Sequence, residues 1–185
     1  MLITAIAVAM DSPGPIFFRQ ARLGKGGVPF CFYKFRSMFV NADDRIHREF
    51  VTKLIQGKLE EVNQGDADNP YYKIKSDPRV TRLGTFIRDK SIDELPQLFN
   101  VLRGDMSLVG PRPPLPYEVE SYESWHLMRI LEVKPGITGL WQVEGHSTTT
   151  FDDMVRLDLR YIRNCSLILD LKILFKTVKT LLRWG

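Results

Sequence analysis

Pro96 follows two adjacent carboxylates, Asp93 and Glu94, and stands at the head of an apolar run that ends near Leu102. Proline lacks an N–H and clashes with the preceding turn, so a helix tolerates it only in its first turn. The segment Leu95–Leu102 reads as a buried helix whose start is therefore fixed near Pro96. Ser91 and Glu94 have capping-box spacing, but a cap at Ser91 would put Pro96 in the second turn. A cap at Asp93 puts Pro96 among the first-turn residues, whose N–H groups have no intrahelical partner. Asp93 is the preferred cap, and either choice leaves both carboxylates at a helix N-terminus.

That position favours ionised carboxylates through the helix dipole. An ionised aspartate can be a nucleophile toward phosphorus. Free N–H groups at a helix start bind phosphate, and a neighbouring carboxylate can hold Mg²⁺ against a diphosphate. Ordinary capping accounts for the pair when it is taken alone. The polar cluster around this pair extends from Arg88 to Gln97.

Three further groups could serve the same chemistry. Arg112 is clamped between Pro111 and Pro113, so its guanidinium is presented at low entropic cost for bidentate phosphate contact. Lys34 and Arg36 are two apart in a strand-like run and fall on one face. Asp158 and Asp170 sit in apolar surroundings, where a carboxylate needs a partner; Arg160 and Arg163 are the local candidates for Asp158. Asp66-Ala67-Asp68 matches the DxD of metal-dependent glycosyltransferases but lies in a polar loop with no preceding strand, and reads as a solvated loop. His47, His126 and His146 lack metal-ligand spacing.

The formal net charge is +4, and the excess is not uniform. Residues 155–185 hold seven Lys/Arg against two Asp, and residues 1–40 hold five against one. Both ends are also apolar, which fits a membrane surface better than a nucleic-acid groove. The run from Met1 to Met10 is half of the ~20 residues a spanning helix needs, and reads as an interfacial stub or a buried first element. Two isolated cysteines, Cys31 and Cys165, give neither a zinc site nor a disulfide framework and fit a reducing compartment.

The elements predicted from pattern are a hairpin (Ile16–Gln20 with Phe30–Phe35) and helices over Asn41–Lys58, Tyr117–Leu131, Asp152–Arg163 and Leu167–Trp184. In the last, Ile168, Leu171, Phe175, Val178 and Leu182 form an apolar stripe. Glu61–Pro70 and Gly104–Pro116 read as loops, and Pro135–Gly145 as turn-rich. The fold class is α+β, mostly helical with a small β-hairpin or sheet. Neither GxGxxG nor GxxxxGK[ST] occurs, so dinucleotide and P-loop folds have no support.

In this order, GPIFFRQARLG, YKFRSM, DPRVTRLG, SIDELPQLFNVLRGDMSLVGPRP, KPGITGLWQVEG and LDLRYI with SLILDLKILFKT resemble the bacterial sugar transferase family, the monotopic polyprenyl-phosphate phosphoglycosyl transferases. The resemblance implies a monotopic catalytic domain over residues 11–185, with residues 1–10 as the second half of a re-entrant membrane helix. It implies transfer of a sugar-1-phosphate from a UDP-sugar to polyprenyl phosphate at the cytoplasmic face of the bacterial inner membrane, as the first step of an exopolysaccharide or O-antigen repeat.

Within that mechanism Asp93 is the implied nucleophile and Glu94 its partner and Mg²⁺ ligand. Lys34, Arg112 and Asp170 match polar positions associated with phosphate binding or support of the site. Arg36, Arg88, Gln97 and Asp158 lie in matching motifs. No nucleic-acid partner is implied, and assembly into a homo-oligomer is left open. His146 stands where the family usually has Arg. The alternatives are a non-enzymatic basic protein binding membrane or nucleic acid, a DxD glycosyltransferase releasing UDP, and an inactive relative.

Overall fold

A computed structural model describes residues 1–66, 69–74, 77–145 and 148–183. The chain opens with helix α1 (Leu2–Asp11). A hairpin of β1 (Phe17–Leu23) and β2 (Pro29–Phe35) follows, antiparallel, with Phe18 opposite Lys34. Helices α2 (Arg45–Ile55), α3 (Leu59–Val62) and α4 (Arg82–Asp89) lead to a single 3₁₀ turn over Ile92–Glu94. Then come α5 (Gln97–Arg103), β3 (Ser107–Val109), α6 (Pro116–Val119), α7 (Ser124–Leu131), β4 (Gly136–Thr138) and α8 (Leu140–Glu144). Helices α9 (Phe151–Arg163) and α10 (Leu167–Arg183) complete the fold. The α+β reading holds, with a second two-stranded sheet in which β3 and β4 run parallel.

Three apolar clusters hold these elements. Val8, Phe35 and Ile87 bring α1, β2 and α4 together, with Phe17 and Ile92 packed on them. The rings of Phe17 and Phe35 stack at 5.5 Å. Burial of side chains such as Phe35 and Ile87 contributes about 1.5–3 kcal/mol each, and because Ile92 belongs to the cluster, this core also anchors the turn that carries Asp93. Val109, Leu140, Tyr161 and Ile173 form a second cluster beneath β3. Ile55, Phe151 and Val155 form the third. Helix α4 begins where the Thr81 hydroxyl accepts the Gly84 N–H at 2.9 Å; it packs so close to the strand exit that a Cβ on Gly84 would collide with Ser37 O.

The expected single helix over Tyr117–Leu131 is two, α6 and α7. The break lies at Glu123, whose N–H donates to His126 Nδ1 and starts a new helix. Leu140–Glu144 is helical and Gly136–Thr138 is a strand, where a turn-rich segment was expected, and Ser107–Val109 is a strand within the expected loop Gly104–Pro116.

Helix α5 departs most from expectation. Its buried side chains are polar, Gln97 and Asn100, while Leu98, Phe99 and Leu102 face outward, Leu102 84% exposed. Neither Ser91 nor Asp93 caps it. Ser91 adopts a left-handed conformation (φ 53°) without a side-chain cap bond, and Pro96 occupies the N-cap. The helix is inside out because its inner face meets backbone. The Asn100 amide donates to Cys31 O (2.7 Å) and accepts from Tyr33 N–H (3.2 Å), a role no apolar residue can fill.

The apolar stripe on α10 also faces outward. Leu167, Ile168, Leu171, Phe175 and Val178 are exposed, and Ile173 makes the buried contact. On α1, Leu2, Ile3, Ile6 and Met10 are exposed and Val8 is buried. No helix among the described residues is long and apolar enough to cross a membrane.

Candidate active site

The left-handed Ser91 turns the chain sharply between α4 and the 3₁₀ turn, a conformation that costs a non-glycine residue about 1–3 kcal/mol and persists only where surrounding packing enforces it. The turn delivers Asp93 to the interior, 5% exposed, with the half-buried Glu94 beside it. Lys34 reaches both from β2. Its Nζ lies 2.7 Å from Glu94 Oε1 and 3.4 Å from Asp93 Oδ2. Asn100 ties β2 to α5 and so sets the register between the ammonium and the carboxylates.

The environment separates the two acids. Burial raises the pKa of Asp93 above the ordinary carboxylate value, against the pull of Lys34; Glu94 adds to the rise and Arg88 opposes it. Burial also acts upward on Glu94, but Lys34, Arg112 and a hydrogen bond with Gln97 outweigh it and hold its pKa below the ordinary value. Asp93 and Glu94 are therefore an inequivalent pair, the arrangement that lets adjacent carboxylates take different roles. Gln97 is fully buried beside them, and Arg88 is exposed at the end of α4. Arg112 is exposed between the buried Pro111 and Pro113. Lys34, Arg88, Gln97 and Arg112 thus lie near or act electrostatically on Asp93 and Glu94.

Three candidates lie elsewhere. Arg36 sits one residue past β2 and turns away from the carboxylates. Its buried guanidinium donates to the carbonyls of Val8 (3.0 Å) and Ser12. Helix ends leave carbonyls without intrahelical partners and carry partial negative charge, so Arg36 anchors α1. Asp158 is fully buried and pairs with Arg129 of α7 at 2.5 Å; Arg160 and Arg163 are not its partners. Arg160 faces Glu144 instead, because residues two apart on a helix point in different directions. Asp170 lies 2.8 Å from the Tyr161 hydroxyl, which also reaches Val109 O at 3.2 Å, so it braces the strand leading to Arg112.

Residues that sequence reasoning did not place here also line this region. Arg22 and His47 stand within electrostatic reach of Arg112, and Lys73 within reach of Arg112, Arg88 and Glu94. His47 lies 2.8 Å from the Tyr117 hydroxyl. Burial, aided by Arg112, lowers its pKa to about 4, so it is neutral at pH 7. The approach of α2 to α6 brings His47 to Tyr117, Arg22 comes from β1 and Lys73 from the segment before α4, and no local spacing signals that they meet. Asp66 belongs to a polar loop, where its carboxylate accepts from Asn69 N–H; Asp68 and His146 lie outside the described residues.

Among the described residues no three His, Cys, Asp or Glu side chains cluster as a metal cage. The hard carboxylate oxygens of Glu94 and Asp93 do fit a magnesium ion of the kind that takes one or two protein carboxylates and completes its shell with water and substrate phosphates.

The family model for bacterial sugar transferases matches residues 1–184. The chain is 46% identical over 170 residues to the galactosyl transferase CpsE of Streptococcus agalactiae serotype III, covering 91% of this chain and 35% of that protein. It is 44% identical over 173 residues to the undecaprenyl-phosphate galactose phosphotransferase of Salmonella typhimurium, 92% of this chain and 34% of that protein. It is 43% identical over 184 residues to the UDP-glucose:undecaprenyl-phosphate glucose-1-phosphate transferase of Xanthomonas campestris pv. campestris, 96% of this chain and 34% of that protein. The chain spans about a third of the length of these relatives. With that match extending over nearly its whole length, the chain belongs to the bacterial sugar transferase family.

Proposed function

We propose that this chain is a phosphoglycosyl transferase that moves a sugar-1-phosphate from a UDP-sugar to undecaprenyl phosphate at the cytoplasmic face of the bacterial inner membrane, the step that starts an exopolysaccharide or O-antigen unit. The observation that carries the reading is the buried Asp93, joined to Glu94 through Lys34 beside Arg112. Relatives named for galactose and glucose-1-phosphate transfer to undecaprenyl phosphate support the substrate class.

In the first step an ionised Asp93 oxygen attacks the β-phosphorus of the donor. The bond from that phosphorus to the bridging oxygen breaks, UMP leaves with the electron pair, and the phosphosugar is held as an acyl phosphate on Asp93. In the second step a phosphate oxygen of the lipid attacks the same phosphorus, the bond to Asp93 breaks, and the carboxylate is regenerated. Lys34 orients both carboxylates, and Arg88 and Arg112 offset the charge of the diphosphate. Glu94, aided by Asp93, would hold magnesium, which when bound neutralises phosphate charge. Such a site works through positioning and electrostatics.

The exposed apolar faces support the lipid side of the reaction. Leu95 and then Leu98, Phe99 and Leu102 of α5 follow directly from Asp93 and Glu94, all exposed. The exposed stripe of α10 is interleaved with Lys172, Lys176 and Lys179, a composition suited to an anionic bilayer surface. The test is turnover with undecaprenyl phosphate, Mg²⁺ and a panel of UDP-sugars. Lipid-dependent release of UMP is expected; release of UDP would mean transfer of sugar alone.

A further inference from the structure

The loop that presents Arg112 cannot hold itself in place. Three of the residues from Pro111 to Pro114 are prolines without an N–H, so the segment's carbonyls depend on donors from outside it. Each of four consecutive carbonyls has one. Pro111 O accepts from Gly136 N (2.9 Å) and Pro114 O from Leu23 N (3.0 Å). Arg129 Nη2 approaches Arg112 O at 3.4 Å, and Arg22 Nη1 donates to Pro113 O at 2.8 Å.

The two arginines are themselves buried, Arg22 5% and Arg129 3% exposed. A buried cation is costly unless paired. Arg129 is paired, with Asp158 at 2.5 Å, and it also donates to the Tyr122 hydroxyl at 3.2 Å. For Arg22 no carboxylate lies within ion-pair distance among the described residues. Its remaining bonds go to Gln20 Oε1 at 3.2 and 3.0 Å, and its guanidinium lies 5.1 Å from the centre of the Phe32 ring. Burial, and then repulsion from Arg112, lower its pKa to about 10. A buried cation without a carboxylate is expensive, and what it gains here is the bond to the Pro113 carbonyl.

We propose that Arg22 and Arg129 are positioning residues: from β1 and α7 they clamp the backbone of Arg112 and Pro113, so that the Arg112 guanidinium is delivered to the donor diphosphate already oriented. This rests on the reading of Arg112 as a phosphate ligand. A site organised in this way keeps the entropy of orienting the cation out of the binding step.

The test is the affinity of the whole chain for UDP, measured by calorimetry, for the wild type, Arg22→Met, Arg22→Lys, Arg112→Ala and Arg22→Met/Arg112→Ala, each checked for a cooperative thermal transition. Arg22→Met is expected to weaken UDP about tenfold and Arg22→Lys less, and in the Arg112→Ala background Arg22→Met is expected to add under threefold. Equal losses in both backgrounds would mean that Arg22 does not act through Arg112 and would overturn the clamp. Unchanged affinity in Arg112→Ala alone would remove the phosphate role of Arg112, and the clamp with it. For the other arm, Arg129→Met/Asp158→Leu replaces the buried pair without stranding a charge. It is expected to fold and to weaken UDP in the same Arg112-dependent way; wild-type affinity in this variant would overturn the part assigned to Arg129.

Discussion

Lys34 makes its shorter ion pair, 2.7 Å, with Glu94, while the buried Asp93 lies at 3.4 Å from the same ammonium. One cation therefore sets the balance between two carboxylates. Replacing it with Met leaves Asp93 buried without its largest stabilising charge. Turnover is expected to fall about 10²–10³-fold, the scale of losing one electrostatic contact in such a site, while the chain stays folded.

The same geometry predicts the acid limb of the rate profile. Asp93 must be ionised to attack, and burial holds its pKa above the ordinary carboxylate value. Activity should therefore fall with decreasing pH at a midpoint above that of a free aspartate. Lys34 lowers the Asp93 pKa and Glu94 raises it. Lys34→Met should move the limb to higher pH and Glu94→Gln to lower pH. Rates of UMP release measured from pH 4 to 9 check both signs; movement of either limb in the opposite direction would contradict this assignment of charges.

Arg36→Met separates anchoring from catalysis. The guanidinium binds the carbonyls of Val8 and Ser12, and leaving buried polar groups without partners costs about 1–3 kcal/mol each. Denaturant unfolding should show a loss of that size, with the donor KM close to that of the wild type. A raised KM without loss of stability would return Arg36 to the phosphate site.

The divide between what the sequence made legible and what it concealed follows the range of the interactions. The hairpin, α9 and α10 follow from periodicity and turn residues, which are local. Asp93, Glu94, Lys34 and Arg112 stand out in the sequence because polar residues interrupt apolar or rigid segments, whereas Arg88 and Gln97 stand out only through the family resemblance. Arg36 was misread because strand alternation gives a face, not a partner, and its partners lie in α1. The orientation of α5 was misread because apolar content was taken to mean burial, whereas the inner face is set by Asn100 bonding to β2. Asp158 has its partner, Arg129, on another helix, and no spacing announces it.

The outward face of α5 predicts a membrane phenotype. Leu98→Glu/Leu102→Glu changes exposed positions, and such substitutions typically alter stability by no more than about 0.5 kcal/mol. If the face enters a bilayer, each lost leucine removes up to about 1.5–3 kcal/mol of apolar transfer. Co-sedimentation with anionic vesicles should then weaken by at least about tenfold, with the thermal transition unchanged. Undiminished binding would place the membrane contact on other surfaces.

The covalent role of Asp93 is the central claim, and mass spectrometry of the intact chain tests it most directly. After incubation with UDP-sugar and Mg²⁺ in the absence of lipid acceptor, the wild type should gain the mass of one phosphosugar, release an equivalent amount of UMP, and lose the adduct when undecaprenyl phosphate is added. Asp93→Asn should do none of these. An adduct that persists in Asp93→Asn, or lipid-dependent UMP release by that variant at the wild-type rate, would contradict the account.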